Sequence, residues 1–306
     1  MTEQSENLPV KKQNKTEIRA KKTDKVMTGL FYTIGGIMLG FLVLLTGYII
    51  ISGFAGFFPE LLSTGGDGIL NQIFNTVYLV ILSLLISVPL GIGAGVYLAE
   101  YAKKGKFLSF LEVSIESLSS LPSIVIGLFG YLVFILMTGM RWNLFAGALA
   151  VSILSLPLIT TETNSALKSL PCEYEEGSLA LGATKAETIK KVLVPAAMPQ
   201  ILTGIIMAAG RGFGEAAALL YTSGQSTVIN WNNWWNLTSP TCPFNPFRTG
   251  ETLSLHIWVM RTEGSLNPNA AAIAGFSSAI LVIMTLVFSL ITRKISDNIR
   301  NKNTKG

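Results

Sequence analysis

The sequence has few charged residues, two cysteines and a single histidine. Charged residues make up 13% of the 306 positions and hydrophobic residues 50%, whereas soluble domains typically have about 25% charged residues. This shortage of charge, together with a positive mean hydropathy, argues against a large soluble core and favours several membrane spans. Cys172, Cys242 and His256 show no metal-ligand spacing, which argues against a zinc site or thiol chemistry.

The sequence also lacks a phosphate-binding loop of the form G-x-x-x-x-G-K-[ST]. Its only Gly-Lys pair, Gly105-Lys106, is followed by Phe107 and has no upstream glycine at the required spacing. ATP hydrolysis must therefore come from a partner, and no catalytic residue, metal site or cofactor of the chain itself is expected. The basic residues fall in blocks between apolar stretches, which indicates cytoplasmic loops rather than nucleic-acid binding.

Six apolar runs predict an all-α integral membrane protein with six transmembrane helices. The runs cover residues 27–52, 73–99, 122–138, 144–160, 196–223 and 270–291. The polar leader 1–26 is predicted to be disordered, and the absence of a clear small-x-small cleavage site favours an uncleaved first span over a signal peptide. The predicted organisation is the leader, a first helix with its outer loop (27–70), a transmembrane domain (71–292) and a tail (293–306).

The distribution of Lys and Arg predicts the orientation of the chain. Nineteen of them fall in the leader, the loops 100–118 and 161–195, and the tail, whereas three fall in the remaining loops and Arg211 lies inside a span. This bias predicts that both termini lie in the cytoplasm. The outer loop 224–269 carries tryptophans suited to a membrane interface: Trp231, Trp234, Trp235 and Trp258.

The cytoplasmic loop 161–195 is polar and carries a glycine, Gly182, between two short amphipathic patterns. Leu179 and Ala183 lie four apart around this glycine, as do Leu181 and Lys185. This spacing predicts a short helix interrupted at Gly182, which permits a turn that other residues resist. Pro195 and Pro199 bracket the predicted start of the next span, where a missing amide is tolerated.

The spacing within this loop resembles the coupling motif of bacterial ABC importer permeases. The motif begins with Glu, two small residues, any three residues and Gly. After nine further residues it ends with an aliphatic residue, any residue, a second aliphatic residue and Pro. The matching residues are Glu176, Gly177, Ser178, Gly182, Val192, Val194 and Pro195. Gly177 and Ser178 stand where alanines are usual. The resemblance implies short helices seated in a groove of a separate ATPase subunit, with the coupling contacts made by Glu176, Gly177, Ser178, Leu179, Leu181, Gly182, Ala183 and Pro195. The alternative is an ordinary hairpin between two spans.

Two charged residues, Arg211 and Glu215, lie inside the fifth predicted span. An isolated Arg at the centre of a span costs about 2.5–3.5 kcal/mol on insertion scales, so a use or a partner is expected. Because the two residues are four apart, they are predicted to share one helix face, where each can neutralise the other. The functional interpretation is that the guanidinium offers paired donors to a tetrahedral oxyanion; the alternative is a structural ion pair.

Small residues beside this pair indicate close helix packing. One stripe consists of Gly204, Ala208 and Gly212, and a second consists of Gly210 and Gly214. Such stripes are expected where two permease subunits meet. Gly91 and Gly95 suggest the same for the second span. Ser123, in the Ser-Ser-Leu-Pro-Ser segment before the third span, places a hydroxyl near a helix start and is a further candidate for the substrate path.

From about residue 71 to the last span, the chain resembles the permeases of the phosphate-specific ABC importer, and the A-type permease of that transporter more than the C-type. The resemblance rests on NTVYLVILSLLISVPLGIGAGVYLAEYA, SLPSIVIGLFG and EEGSLALGATKAETIKKVLVPAAMPQILTGIIMAAGRGFGEAAALL, and PFNPFRTGETLSLHIW favours the A type. It implies a type I ABC importer permease fold, and Arg211 and Glu215 match the intramembrane Arg-x-x-x-Glu of the family. The implied partners are a second permease of the C type, two ATPase subunits that bind ATP, an extracytoplasmic phosphate-binding protein and membrane lipid, without nucleic acid.

Three other functions remain open at the level of sequence. The cargo could be another oxyanion, such as sulfate, molybdate or phosphonate, because the receptor protein does most of the selecting. The chain could also be a secondary transporter or channel that needs no ATPase. A scaffold that signals phosphate status is the third. His256, among aliphatic and Trp neighbours, is interpreted as a packed histidine rather than a ligand.

Overall fold

A computed structural model describes residues 15–264 and 267–303. Over these residues the chain forms helices and turns and no strand. The helices are α1 (Lys15–Ala55), α2 (Leu70–Val96), α3 (Lys106–Ser120), α4 (Ser123–Gly130), α5 (Leu144–Lys168), α6 (Glu173–Ala180), α7 (Lys185–Thr188), α8 (Val194–Gly214), α9 (Ala217–Thr222), α10 (Leu253–Thr262) and α11 (Ala270–Asn303). Short 3-10 turns lie at Pro59–Leu62 and Trp231–Asn233, and π-helical turns at Tyr97–Tyr101, Tyr131–Leu136 and Ile189–Leu193.

The described residues divide into two units, with the boundary between Ile49 and Ile50. In the described part of the first unit, α1 is a continuous helix with exposed apolar side chains over most of its length. It begins at Lys15, inside the leader that the sequence predicted to be disordered, so that prediction is wrong for residues 15–26; residues 1–14 of the leader lie outside the described ranges. The exposed apolar surface is what a membrane-spanning helix presents to lipid.

Five helices are long and apolar enough to cross a membrane, and a sixth span is broken. The five are Arg19–Ala55, Leu70–Tyr101, Leu144–Lys168, Lys185–Gly214 and Ala270–Asn298. The sixth consists of Lys106–Ser120 and Ser123–Leu136, which meet at an angle of 98°. The predicted number of six is reached when this bent pair is counted as one span.

The bend corrects the predicted third span and the predicted loop 100–118. Much of that loop is α3, and the segment 122–138 is only the second arm of the bent pair. Pro122 explains the break, because a proline disfavours helical backbone in the residue before it, and Leu121 is extended (φ −64°, ψ 134°). The chain therefore leaves α3, turns at Leu121-Pro122 and starts α4 in a new direction.

The core of the second unit is built on close packing between α2 and α5. A Cβ at Gly91 would lie 2.7 Å from Ile159 Cγ2, and one at Gly95 would lie 2.5 Å from Thr163 Cβ. The Ser152 hydroxyl on α5 also donates to the Ser83 carbonyl on α2 at 3.0 Å. Gly91 and Gly95 thus bring two helices of this chain together, instead of serving a second permease.

The stripe of small residues on α8 likewise packs inside the chain. Gly204 faces Glu162, Gly212 faces Val80 and Val151, and Ala208 is buried. The prediction that this stripe meets another subunit is therefore wrong. By contrast, a Cβ at Gly210 or Gly214 would meet no atom within 4 Å among the described residues, so the second stripe is open.

The fifth span begins earlier than the sequence predicted. Helical structure is continuous from Lys185 to Gly214, so Pro195 lies within it and not at its start, where residue 196 was expected. A π-helical turn at Ile189–Leu193 precedes this proline, and the Val194 amide donates to the Ile189 carbonyl, five residues back. This wider turn carries the helix past a position that has no amide to donate.

Candidate functional site

The loop after α5 folds into two short helices that turn at Gly182. Gly182 has φ +83°, a left-handed conformation in which a side chain is strained. Beyond it, Thr184 and Glu187 form a capping box: the Thr184 hydroxyl accepts from the Glu187 amide, and the Glu187 carboxylate accepts from the Thr184 amide. The Ser178 and Thr188 hydroxyls lie 2.9 Å apart and join the two helices. The predicted helix with a glycine break is confirmed.

This loop presents an apolar surface to the outside of the protein. Leu181 is 91% exposed and Leu179 is 42% exposed. Glu176, Gly177, Gly182 and Pro195 are also exposed, whereas Ser178 and Ala183 are half-buried. An exposed leucine pair on a rigid turn is the arrangement expected of a docking element rather than of a solvated hairpin.

Lys185 connects the loop to the end of the second span. Its ammonium donates to the Glu100 carbonyl at 2.5 Å, lies 3.7 Å from the Glu100 carboxylate and sits 5.4 Å from the centre of the Tyr101 ring. It also lies 4.0 Å from Glu175 on α6. Lys185 therefore joins the loop to the end of the span 70–101.

The predicted pairing of Arg211 with Glu215 is wrong. Helix α8 ends at Gly214 and Glu215 has an extended backbone (φ −73°, ψ 120°), so the two residues do not share a continuous helix. The Glu215 carboxylate instead accepts from the Ala218 amide at 3.0 Å. Arg211 is exposed and makes no hydrogen bond or ion pair with the residues that the structure describes.

Glu215 is a buried junction between three helices. Its carboxylate caps the start of α9, and its carbonyl, at the end of α8, accepts from the Ser254 hydroxyl of α10 at 2.6 Å. A carboxylate at the start of a helix satisfies an amide that has no partner within the helix. The break between α8 and α9 is thus stabilised by contacts within the chain.

Ser123 lies at the same level as this break. A Cβ at Gly127 would come within 2.7 Å of Ala218 Cα, and one at Gly130 within 2.9 Å of Thr222 Cγ2. These contacts run in the same chain direction, so α4 and α9 are parallel and the first turn of α4 is alongside Glu215. The second turn of α4 therefore packs against the first turn of α9, and α4 begins at the level of the break between α8 and α9.

Two substitutions at Glu215 distinguish the helix-capping hydrogen bond of its side chain from its negative charge. Glu215→Ala removes the acceptor for the Ala218 amide and should destabilise the folded chain by about 1 kcal/mol. Glu215→Gln keeps an acceptor oxygen, so its thermal unfolding in detergent should stay close to that of the wild type. Equal destabilisation by the two changes would contradict the capping role.

Sequence reasoning missed a buried arginine, Arg248, in the outer loop. Its side chain is 2% exposed and donates to Asn75 Oδ1 at 2.6 Å and to the carbonyls of Pro243 and Thr249 at 3.0–3.2 Å. Burial lowers the pKa of Arg248 to about 10, so it remains charged at neutral pH. Arg248 fastens the outer loop to the start of α2.

Beside Arg248, a buried acid–histidine pair holds the start of α10. Glu251 Oε2 lies 2.9 Å from His256 Nδ1, and the Gln72 amide donates to the same oxygen at 3.3 Å. The Asn75 amide donates to the Glu251 carbonyl at 2.9 Å. His256 is therefore a packed residue, as its aliphatic neighbours indicated.

Residues 88–304 match the family described as the inner membrane component of binding-protein-dependent transport systems, and the chain belongs to this family. Its members are permease subunits of ABC transporters, so the chain is a non-catalytic membrane subunit. This excludes the secondary transporter or channel that the sequence had left open.

Two relatives show how far the similarity extends. The chain is 45% identical over 291 residues to "Probable ABC transporter permease protein YqgI" of Bacillus subtilis (strain 168), covering 93% of this chain and 98% of the relative. It is 34% identical over 222 residues to "Phosphate transport system permease protein PstA 2" of Mycobacterium tuberculosis (strain CDC 1551 / Oshkosh), covering 72% of this chain and 69% of the relative.

A solved structure supports the fold. A chain of a bacterial ABC transporter involved in the import of the acidic polysaccharide alginate aligns with a TM-score of 0.58 at 18% identity, covering 92% of this chain and 99% of that chain. At this identity the likeness concerns the fold alone, which is that of a type I ABC importer permease.

Proposed function

We propose that the chain is the A-type permease of an ATP-driven importer of inorganic phosphate. The observation that carries the transport mechanism is the rigid, exposed turn around Gly182, which offers Leu179 and Leu181 to a partner. Similarity to relatives named as phosphate transport permeases supports the cargo. The chain lies in the bacterial inner membrane with both termini in the cytoplasm, as the nineteen basic residues on one side indicate.

The partners follow from what the chain lacks. It has no phosphate-binding loop of its own, so two separate ATPase subunits bind and hydrolyse ATP and dock on the short helices α6 and α7. A second permease, of the C type, completes the path, and an extracytoplasmic phosphate-binding protein delivers the anion. The open face at Gly210 and Gly214 is suited to contact with the second permease.

Arg211 is the residue proposed to meet the anion. It is exposed near the end of a membrane-spanning helix and is not neutralised by Glu215, which is engaged with α9. A guanidinium in this position can offer paired donors to a phosphate oxyanion. Ser123, at the start of α4, and Glu215, which fixes the helix break, form the adjoining wall of the path.

Changing Arg211→Gln tests this role. Loss of a charge-assisted contact is expected to lower the initial rate of labelled phosphate uptake by about tenfold or more. Arg261→Gln, which removes an exposed arginine in the last turn of α10, is the control and should leave uptake unchanged. Unaltered uptake by a correctly inserted Arg211→Gln protein would exclude the proposed contact.

The cargo is tested by competition. Unlabelled phosphate should suppress labelled phosphate uptake by cells that express the complete transporter, whereas equal concentrations of sulfate, molybdate or phosphonate should not. Stronger suppression by one of the other oxyanions would assign the transporter to that anion and would leave the coupling mechanism intact.

A further inference from the structure

A polar cavity of about 740 Å³ opens between α5, α8 and α11. It lies near the ends of these helices that adjoin the coupling loop, because Pro199 in its wall follows closely on Pro195. Its polar wall comes from all three helices: Glu162 from α5, Gln200 and Thr203 from α8, and Ser289, Arg293 and Ser296 from α11. Asp297 adds a second carboxylate.

Glu162 and Arg293 face this cavity without neutralising each other. Over the described ranges, neither side chain has a hydrogen-bond partner or lies within 4 Å of an opposite charge. Glu162 belongs to a membrane-spanning helix, where an unpaired carboxylate is costly and by default indicates a function. Gly204 makes room for it, since a Cβ at that position would lie 2.7 Å from Glu162 Cβ.

The remaining polar groups divide into donors and acceptors. The Thr203 and Ser296 hydroxyls each donate to the Pro199 carbonyl at 3.2 Å, so their oxygens remain free to accept. Gln200 accepts from Ser169 through Oε1 at 3.3 Å, which leaves its amide hydrogens to donate. The cavity therefore offers N–H donors from Arg293 and Gln200, and acceptors from Glu162 and the two hydroxyls.

An exposed apolar strip adjoins the cavity on α11. In the two turns before Arg293, Leu286, Val287, Leu290 and Ile291 are 47–67% exposed. A polar cavity at the cytoplasmic end of a span, bordered by apolar surface that continues into the bilayer, has the form of a site for a lipid headgroup and its acyl chains.

We propose that this cavity binds the headgroup of a zwitterionic aminophospholipid of the cytoplasmic leaflet. Arg293 and the Gln200 amide hold the lipid phosphate, and Glu162 with the Thr203 and Ser296 hydroxyls holds the ammonium. Glu162 decides between lipid classes, because its carboxylate would repel an anionic headgroup or free phosphate. The site is independent of phosphate transport and does not rest on the proposed cargo.

Native mass spectrometry of the purified full-length chain tests the proposal. The protein is incubated with equimolar phosphatidylethanolamine, phosphatidylglycerol and phosphatidylcholine. The wild type should retain phosphatidylethanolamine about tenfold over phosphatidylglycerol, and also over phosphatidylcholine, whose quaternary ammonium cannot donate to Glu162. Phosphatidylethanolamine should also raise the thermal stability of the wild type.

Three variants connect the binding to the cavity. Arg293→Gln should lower phosphatidylethanolamine retention about tenfold by removing the phosphate contact. Glu162→Gln should remove the preference for phosphatidylethanolamine over phosphatidylglycerol and its stabilising effect. Lys294→Gln, at the neighbouring position of α11 but outside the cavity wall, is the matched control and should behave as the wild type.

Each contrary outcome overturns the proposal. Equal retention of the three lipids by the wild type, or unchanged preference in Arg293→Gln and Glu162→Gln, would exclude a headgroup site. Displacement of phosphatidylethanolamine by inorganic phosphate would make the cavity a small-anion site.

Discussion

Gly182→Val is expected to abolish co-purification of the ATPase and to stop phosphate uptake. Gly182 has φ +83°, and a β-branched side chain in this region is a genuine outlier. Strain of about 1–2 kcal/mol or more would unfold the turn or shift it, and 1.4 kcal/mol already weakens binding about tenfold. Since Leu181 is displayed by this turn, the docking surface is lost with it. Pull-down from membranes and labelled phosphate uptake measure the two effects.

Gly177→Ala is the matched control, because it changes a second exposed glycine of the same loop. A Cβ added at either glycine would have no atom within 4 Å among the described residues. Of these two glycines, Gly182 has a positive φ and Gly177 does not. Gly177→Ala, within α6, should therefore preserve docking and uptake. Retained docking in Gly182→Val would show that the left-handed turn is not needed to present the loop.

Arg248→Met is expected to cause the largest loss of stability in the outer half of the chain. The change retains apolar bulk but leaves Asn75 Oδ1 and the Pro243 carbonyl without their buried donor. Hydrogen bonds to charged groups contribute about 1.5–3 kcal/mol each, so a loss of about 3 kcal/mol is expected overall. Thermal unfolding in detergent should be lowered by about 10 °C, and the outer loop should become sensitive to protease.

Arg141→Gln controls for the removal of positive charge from the outer side. Arg141 is exposed in the turn before α5, and its change should leave both measurements at wild-type values. Arg248→Lys should rescue only part of the loss, because an ammonium cannot reproduce the fork of donors that reaches Asn75 and two carbonyls. Full stability of Arg248→Met would contradict the anchoring role of this side chain.

The coupling loop could be predicted from the sequence because its chemistry is local. Gly182, the Thr184 cap and the exposed leucines all act within a few residues of one another, so spacing alone contains the information. The family and the number of spans were also predictable, since both depend on long patterns. The bend at Pro122 had a local signal, but the lysines before α3 made this segment resemble a simple cytoplasmic loop.

The pairing of Arg211 with Glu215 could not be corrected from spacing. Two residues that are four apart share a helix face only if the helix is continuous between them. The sequence Gly-Glu-Ala at 214–216 contains no proline that would predict a break. The break is maintained by Ser254, which binds the Glu215 carbonyl from a helix 39 residues away in sequence. Tertiary contacts of this kind are not visible in a local pattern.

Arg248 was missed for the same reason. Its strongest contact is with Asn75, 173 residues away, and its neighbours in sequence resemble an ordinary outer loop. Counting it with the outer basic residues contributed to the predicted orientation but concealed that it is buried. A charged residue can therefore report membrane sidedness and still be a structural anchor.

The unbroken helix from Lys185 to Gly214 has a mechanical consequence. Its 30 residues extend about 45 Å at 1.5 Å per residue, and they connect the proposed docking loop, through the π-helical turn at Ile189–Leu193, to a point one turn beyond Arg211. A push or tilt applied at Lys185 is not absorbed by a flexible linker along the way. In the proposed mechanism, a displacement of the loop therefore moves the far end of this helix, where the chain stops being helical and the guanidinium is exposed.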